Sequence, residues 1–286
     1  MKQTRRLPLQ ALYNCRDLGG FPTAGGGVTR YGVFLRSEAP CGLPQADIDA
    51  LVEYGLKETI DLRGGGEVRS RPSDLSAVDG VTYHHKSLFN EAAVFDKSQV
   101  DKPGKPGGPG GPGGLDWGEQ YKSMAETSRD WAKEVLQIAA DCPGALLYHC
   151  TTGKDRTGIL TCYLLSIAGV SRNDIAADYC VSQVYLEPVY AVMRSGKMPG
   201  MPGGDPNGPD GGPGGPNGAP AEGPGGGPGG PGGPGMDEGF FSTKAENMLK
   251  LIDYLTETYG GVVEYLRLIG ISEELMDRIR DKFVEL

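Results

Sequence analysis

Ala145-Leu146-Leu147-Tyr148-His149-Cys150-Thr151-Thr152-Gly153-Lys154-Asp155-Arg156-Thr157-Gly158 is the stretch whose reading decides the fold. Ala145 to Tyr148 is a short apolar run of strand length, and Arg156 to Ala168 reads as the helix after it. A strand–loop–helix puts the loop at a helix N-terminus, where free N–H groups and the helix dipole favour an anion. Consecutive amides from Thr151 to Arg156, including those of Thr152, Gly153, Lys154 and Asp155, can curl into a nest around a phosphate-like group. Gly153 permits the tight turn this requires. A thiol at such a position, here Cys150, is expected to be largely thiolate at neutral pH. Arg156 follows six residues later, and its planar fork suits two oxygens of a phosphate. Thr157 can donate a hydrogen bond to the sulfur, and His149 can orient the loop.

Outward from this stretch, strands and helices alternate. A helix is expected from Leu43 to about Tyr54, with Ile48, Leu51 and Val52 on one face. Thr59 to Arg63 reads as a short strand and its exit, stopped by Gly64-Gly65-Gly66, and Val81 to Leu88 as a second strand. Leu115 to Ala140 is expected to be mostly helical, with Trp131, Val135, Leu136 and Ile138 on an apolar stripe. Ser171 is placed to cap a helix running to about Val192, and Ser242 to cap one ending at Gly260-Gly261. Val262 to Leu268 and Glu273 to Val284 complete a helical C-terminus. The order predicts an α/β fold, a central sheet flanked by helices.

The chain has 286 residues, and its 47 Gly and 22 Pro lie mostly in two tracts, 102–114 and 195–235. Such composition cannot build a core, so the tracts read as flexible insertions in one domain spanning 1–286. A net charge of −9 argues against a nucleic-acid partner but leaves room for a small basic pocket. The six cysteines form no CxxC pair, so no metal site is indicated, and a reducing compartment is expected. His84 and His85 alternate along a strand without the partners a metal needs. Neither a signal-peptide core nor a run of transmembrane length is found, which predicts a soluble cytoplasmic protein, with export by a route lacking a cleavable signal as the alternative.

The His149-Cys150-x5-Arg156-Thr157 pattern resembles the phosphate loop of the protein tyrosine phosphatase superfamily. The ending Gly153-Lys154-Asp155-Arg156-Thr157-Gly158 is similar to the bacterial family that includes secreted mycobacterial and listerial lipid and protein phosphatases. Asn14-Cys15-Arg16-Asp17-Leu18-Gly19-Gly20, Leu35-Arg36-Ser37, Asp61-Leu62-Arg63 and Tyr259-Gly260-Gly261 agree with it. The two Gly/Pro tracts depart from relatives, which carry helical lid elements near such positions.

The resemblance implies a protein-tyrosine-phosphatase-like fold and hydrolysis of phosphotyrosine, extending to phosphoserine, phosphothreonine and phosphoinositides. It implies no cofactor. Cys150 would attack phosphorus, an acid would protonate the leaving oxygen, and water would hydrolyse the phosphocysteine. The acid is Asp155 by the family pattern, with Asp61 as the alternative. Lys154 reads either as a solvated charge or as a second cation for multiply charged substrates. Arg16 and Asp17 read as an internal ion pair bracing the site, with Arg63 in a similar supporting role. A competing reading is a phosphate-binding module without turnover; another is a scaffold built around the Gly/Pro tracts.

Overall fold

The computed structural model describes residues 4–88, 116–194 and 242–286. Both Gly/Pro tracts lie outside the described residues. Contacts divide the chain into two units: Met1–Lys97 with Asp116–Tyr185 and Thr243–Leu286, and Ser98–Leu115 with Leu186–Ser242. In the second unit the described element is one helix, Glu187–Arg194.

The first unit is built on a five-stranded sheet. Its strands are β1 (Arg16–Asp17), β3 (Phe34–Ser37), β6 (Ala145–His149), β4 (Leu56–Asp61) and β5 (Thr82–His85), in that spatial order. β1 pairs antiparallel with β3, and the other neighbours are parallel. Two further strands, β2 (Val28–Thr29) and β7 (Val284–Glu285), form an antiparallel pair. The helices of this unit are α1 (Gln45–Glu53), α2 (Gly65–Ser70), α3 (Trp117–Thr127), α4 (Arg129–Asp141), α5 (Asp155–Ile167) and α6 (Arg172–Tyr185). After α7, the Glu187–Arg194 helix, come α8 (Ala245–Tyr259), α9 (Val262–Leu268) and α10 (Glu273–Phe283).

β6 is buried along its whole length because it lies between two parallel strands with both faces covered. Its alternation sorts residues to opposite faces. Leu146 and Tyr148 join Phe34 and Ile60 in the larger core, under α4, α5, α8 and α10. Ala145 and Leu147 join Leu35, Leu51, Leu56 and Leu75 in a smaller core under α1. α5 is apolar nearly all round, as befits a helix covered on every side.

Four local expectations need correction. β4 ends at Asp61, ahead of Gly64-Gly65-Gly66, but the glycines are no plain break: they lead into α2, with Gly64 at the N-cap. The expected long helix before β6 is two, because the Ser128 hydroxyl bonds back to the Met124 carbonyl and its backbone leaves the helical region. The helix after Ser171 likewise stops at Tyr185, and Pro188 sits in the first turn of α7, where its missing N–H costs nothing. α8 starts at Ala245 with Lys244 at its N-cap, not at Ser242, whereas its end at Gly260, with φ 90°, is as expected.

Candidate active site

Parallel strands bring their C-terminal ends to one edge of the sheet. Ser37 and Asp61 both stand in register with His149, so the chain segments leaving β3, β4 and β6 emerge side by side. Cys150 is the first residue beyond β6 and is 1% exposed. The loop returns at Gly153, whose φ is +68°. A Cβ there would lie 2.3 Å from the Ser37 carbonyl oxygen, so both backbone conformation and space demand glycine.

The loop's carbonyls are held from outside. Ala39 N–H donates to the Thr151 carbonyl at 3.1 Å. Asn14 Nδ2 donates to the carbonyls of Thr152 at 3.0 Å and Gly153 at 3.3 Å. Arg36 Nη2 donates to Gly153 at 2.7 Å and Lys154 at 3.3 Å. In a trans peptide the N–H points opposite its C=O. Four carbonyls drawn outward therefore turn the amides of Thr152, Gly153, Lys154 and Asp155 toward the loop's interior, an anion-binding nest at the N-terminus of α5.

Beneath the loop lies a buried charge network centred on Asp178 of α6. Its carboxylate pairs with Arg16 Nε at 2.9 Å, Arg36 Nη1 at 2.7 Å and Arg5 Nη2 at 2.8 Å. Burial alone would raise this carboxyl's pKa; the arginines outweigh it and hold Asp178 well below the usual range. The expected Arg16–Asp17 ion pair does not form, because successive strand residues face opposite ways. Asp17 instead accepts from the amides of Gly19 and Gly32 and from Tyr54 Oη. Asp178 escaped the sequence reading, although its spacing from Ile175, Tyr179 and Ser182 puts it on the buried face of α6.

Arg156 is gripped by Glu67 of α2, a second residue the sequence reading passed over. Nη1 meets Oε2 at 2.5 Å and Nη2 meets Oε1 at 2.9 Å, a two-pronged pair. Thr151 Oγ1 also donates to Glu67 Oε1, and the Gly64 amide donates to Oε2 at 2.9 Å. Burial works to raise the Glu67 pKa, but Arg156 dominates and lowers it to about 2. Arg156 is itself raised: burial opposes the charge, and the Cys150 sulfur and Glu67 outweigh it. An acidic residue three positions beyond a glycine N-cap was the available signal.

The two candidate acids sit in different surroundings. Asp61 is fully buried and its carboxylate accepts from Arg63 Nε at 2.9 Å, Arg63 Nη2 at 2.6 Å and Tyr83 Oη at 2.9 Å. Burial would raise its pKa, but Arg63 and His149 keep it lowered. Asp155 opens α5, is 17% exposed at its side chain, and accepts a hydrogen bond from Tyr121 of α3. Lys154 Nζ lies 3.6 Å from Asp155 Oδ1 and 4.7 Å over the Trp117 ring. At 2% exposure Lys154 is not a solvated charge. Burial pushes the His149 imidazole down to about 4, against the pull of Asp61, so it is neutral near pH 7. Thr157 Oγ1 is buried without a hydrogen-bond partner among the described residues.

All six cysteines are free thiols, and Cys41 Sγ lies 3.7 Å from Arg63 Nη1. Among the described residues no cluster of His, Cys, Asp or Glu could hold a metal ion, and no helix is long and apolar enough to cross a membrane.

A helix-flanked, mostly parallel sheet with a Cys-x5-Arg loop at its C-terminal edge belongs to a known class: residues 7–285 match the tyrosine phosphatase family, and the chain is a member of it. Among individual relatives, a tyrosine-protein phosphatase of Nostoc commune is 37% identical over 156 residues, covering 54% of this chain and 49% of the relative. A relative from Cupriavidus necator is 32% identical over 182 residues, 62% of each chain. The match thus spans about half the length of the first relative and 62% of the second. The triple specificity protein phosphatase of Mycobacterium tuberculosis is 24% identical over 298 residues, covering 96% of this chain and 97% of that one.

Proposed function

We propose that this chain hydrolyses phosphate monoesters through a phosphocysteine intermediate on Cys150, with phosphotyrosine as the principal substrate. The observation that carries this is the loop itself: a buried thiol at the base of a nest whose carbonyls are all drawn outward, beside an arginine fixed by a carboxylate.

In the first step the Cys150 thiolate attacks phosphorus in line. The S–P bond forms as the bond to the leaving oxygen breaks, and Asp155 gives that oxygen its proton. The loop amides and Arg156 bear the charge on the transferring group. In the second step water attacks the phosphocysteine, Asp155 takes the water's proton, and Cys150 leaves as thiolate, assisted by the Thr157 hydroxyl. Asp61 supports the site without exchanging protons, since Arg63 and Tyr83 occupy its carboxylate. His149, Arg16, Asp17 and Arg63 are supporting residues. Phosphoserine, phosphothreonine and phosphoinositides are further substrates. Support for that breadth comes from the Lys154 cation beside the loop and from the name of the full-length mycobacterial relative.

Turnover of an aryl phosphate by wild type, Cys150→Ser, Asp155→Asn and Asp61→Asn tests the assignment. Cys150→Ser should abolish turnover, and Asp155→Asn should steepen the dependence on leaving-group pKa. Undiminished turnover by Cys150→Ser would refute the mechanism, and steepening by Asp61→Asn alone would transfer the acid role to Asp61.

A further inference from the structure

Asp155 is not held by its own loop alone. Tyr121 donates its phenol proton to Asp155 Oδ1, and the Tyr121 oxygen lies 2.6 Å from Tyr179 Oη of α6. Tyr121 has one phenol proton and gives it to Asp155, so the proton between the two phenols belongs to Tyr179. The result is a directed chain from Tyr179 through Tyr121 to Asp155. Both tyrosines are buried, and their rings meet edge to face at 5.9 Å and 81°. Burial, and then the Asp155 charge, hold the Tyr121 phenol well above its usual range, so it stays a donor.

We infer that Tyr121 is a positioning residue that makes Asp155 a one-sided acid, occupying Oδ1 so that Oδ2 carries and transfers the proton. The inference rests on Asp155 being the acid of the proposed reaction. When the proton passes from Oδ2 to the leaving oxygen, the Oδ2–H bond breaks, the electron pair stays on the carboxylate, and no proton leaves Tyr121. A donor bonds a carboxylate more strongly than a neutral acid, so the phenol's help grows as the transition state is reached. The groups facing Asp155 are the Lys154 ammonium at 3.6 Å, the Arg156 guanidinium on the same helix, Tyr121 from α3 and, through it, Tyr179 from α6. Among these, Tyr121 donates to Oδ1 from a separate element without carrying a charge.

The test is the dependence of kcat/KM on leaving-group pKa for a series of aryl phosphates, in Tyr121→Phe and Asp155→Asn. Losing the donor on Oδ1 removes help that is largest in the transition state, where the carboxylate forms. Poor leaving groups should lose on the order of tenfold more than good ones. Should Tyr121→Phe fail to fold, 3-fluorotyrosine at position 121 keeps the ring, strengthens the donor and should make the slope shallower. A slope unmoved by either change, with Asp155→Asn still steepening it, overturns the role of Tyr121. A slope unchanged in Asp155→Asn instead overturns the acid assignment, and the inference with it.

Discussion

Arg36 Nη1 sits 2.7 Å from Asp178 Oδ2, and both side chains are fully buried. Through its other nitrogen the same arginine holds the Gly153 carbonyl. A carboxylate in α6 thus sets the orientation of a peptide in the candidate phosphate loop, although the two are distant in sequence.

Removing that carboxylate leaves Arg16 and Arg36 buried without their shared counter-charge. Asp178→Asn should cost about 3–5 kcal/mol of unfolding free energy, the range for breaking one side of a buried ion pair. Equilibrium denaturation in urea measures it. A loss under about 1 kcal/mol would show that the network adds nothing the amide cannot replace.

The same carboxylate makes stability depend on acid pH. Its folded pKa is depressed, so its contribution is complete above the unfolded value near 3.9 and is lost as pH falls through the folded value. Glu67, lowered to about 2, acts in the same direction, though its partial exposure makes it the smaller contributor. Unfolding midpoints should fall steadily below about pH 4. The fall should be shallower in Asp178→Asn.

Glu67→Gln tests the grip on Arg156. The neutral side chain retains one acceptor but loses the two-pronged ionic pair, leaving the guanidinium less fixed. kcat/KM for an aryl phosphate should drop on the order of tenfold, about 1.4 kcal/mol, with little change in the unfolding midpoint. An equal loss in stability would make Glu67 a purely structural residue.

Gly153→Ala places a methyl against the Ser37 carbonyl in a left-handed backbone conformation. Opening the turn should cost about 1–3 kcal/mol and, by widening the nest, most of the turnover. Thermal unfolding and steady-state assays on one preparation separate the two effects.

What was legible in the sequence was local. β6, the loop and α5 are consecutive, so apolar runs, one glycine and the Cys-x5-Arg spacing sufficed to place them. Three strands of the central sheet, β4, β5 and β6, followed from alternating elements, whereas β1 and β3 were not read as strands. The Arg16 partnership was not legible, because it joins residues 162 positions apart and competes with an adjacent, chemically plausible Asp17. Glu67 lay behind three glycines, which read as a break although the first of them is an N-cap. Lys154 stayed open between a solvated charge and a second cation because the aromatic residue beside it, Trp117, arrives from another helix. Side chains recruited across the fold are set by packing, which spacing along one chain does not encode.

The most direct measurement is a rapid-quench experiment in which wild type and Asp155→Asn turn over an aryl phosphate whose phenol leaves without protonation, and the peptide containing residue 150 is weighed. A phosphoryl group on Cys150, formed in a burst and accumulating further when Asp155 can no longer activate water, is the expected result. Turnover at full rate with residue 150 unmodified at every time point would contradict the account.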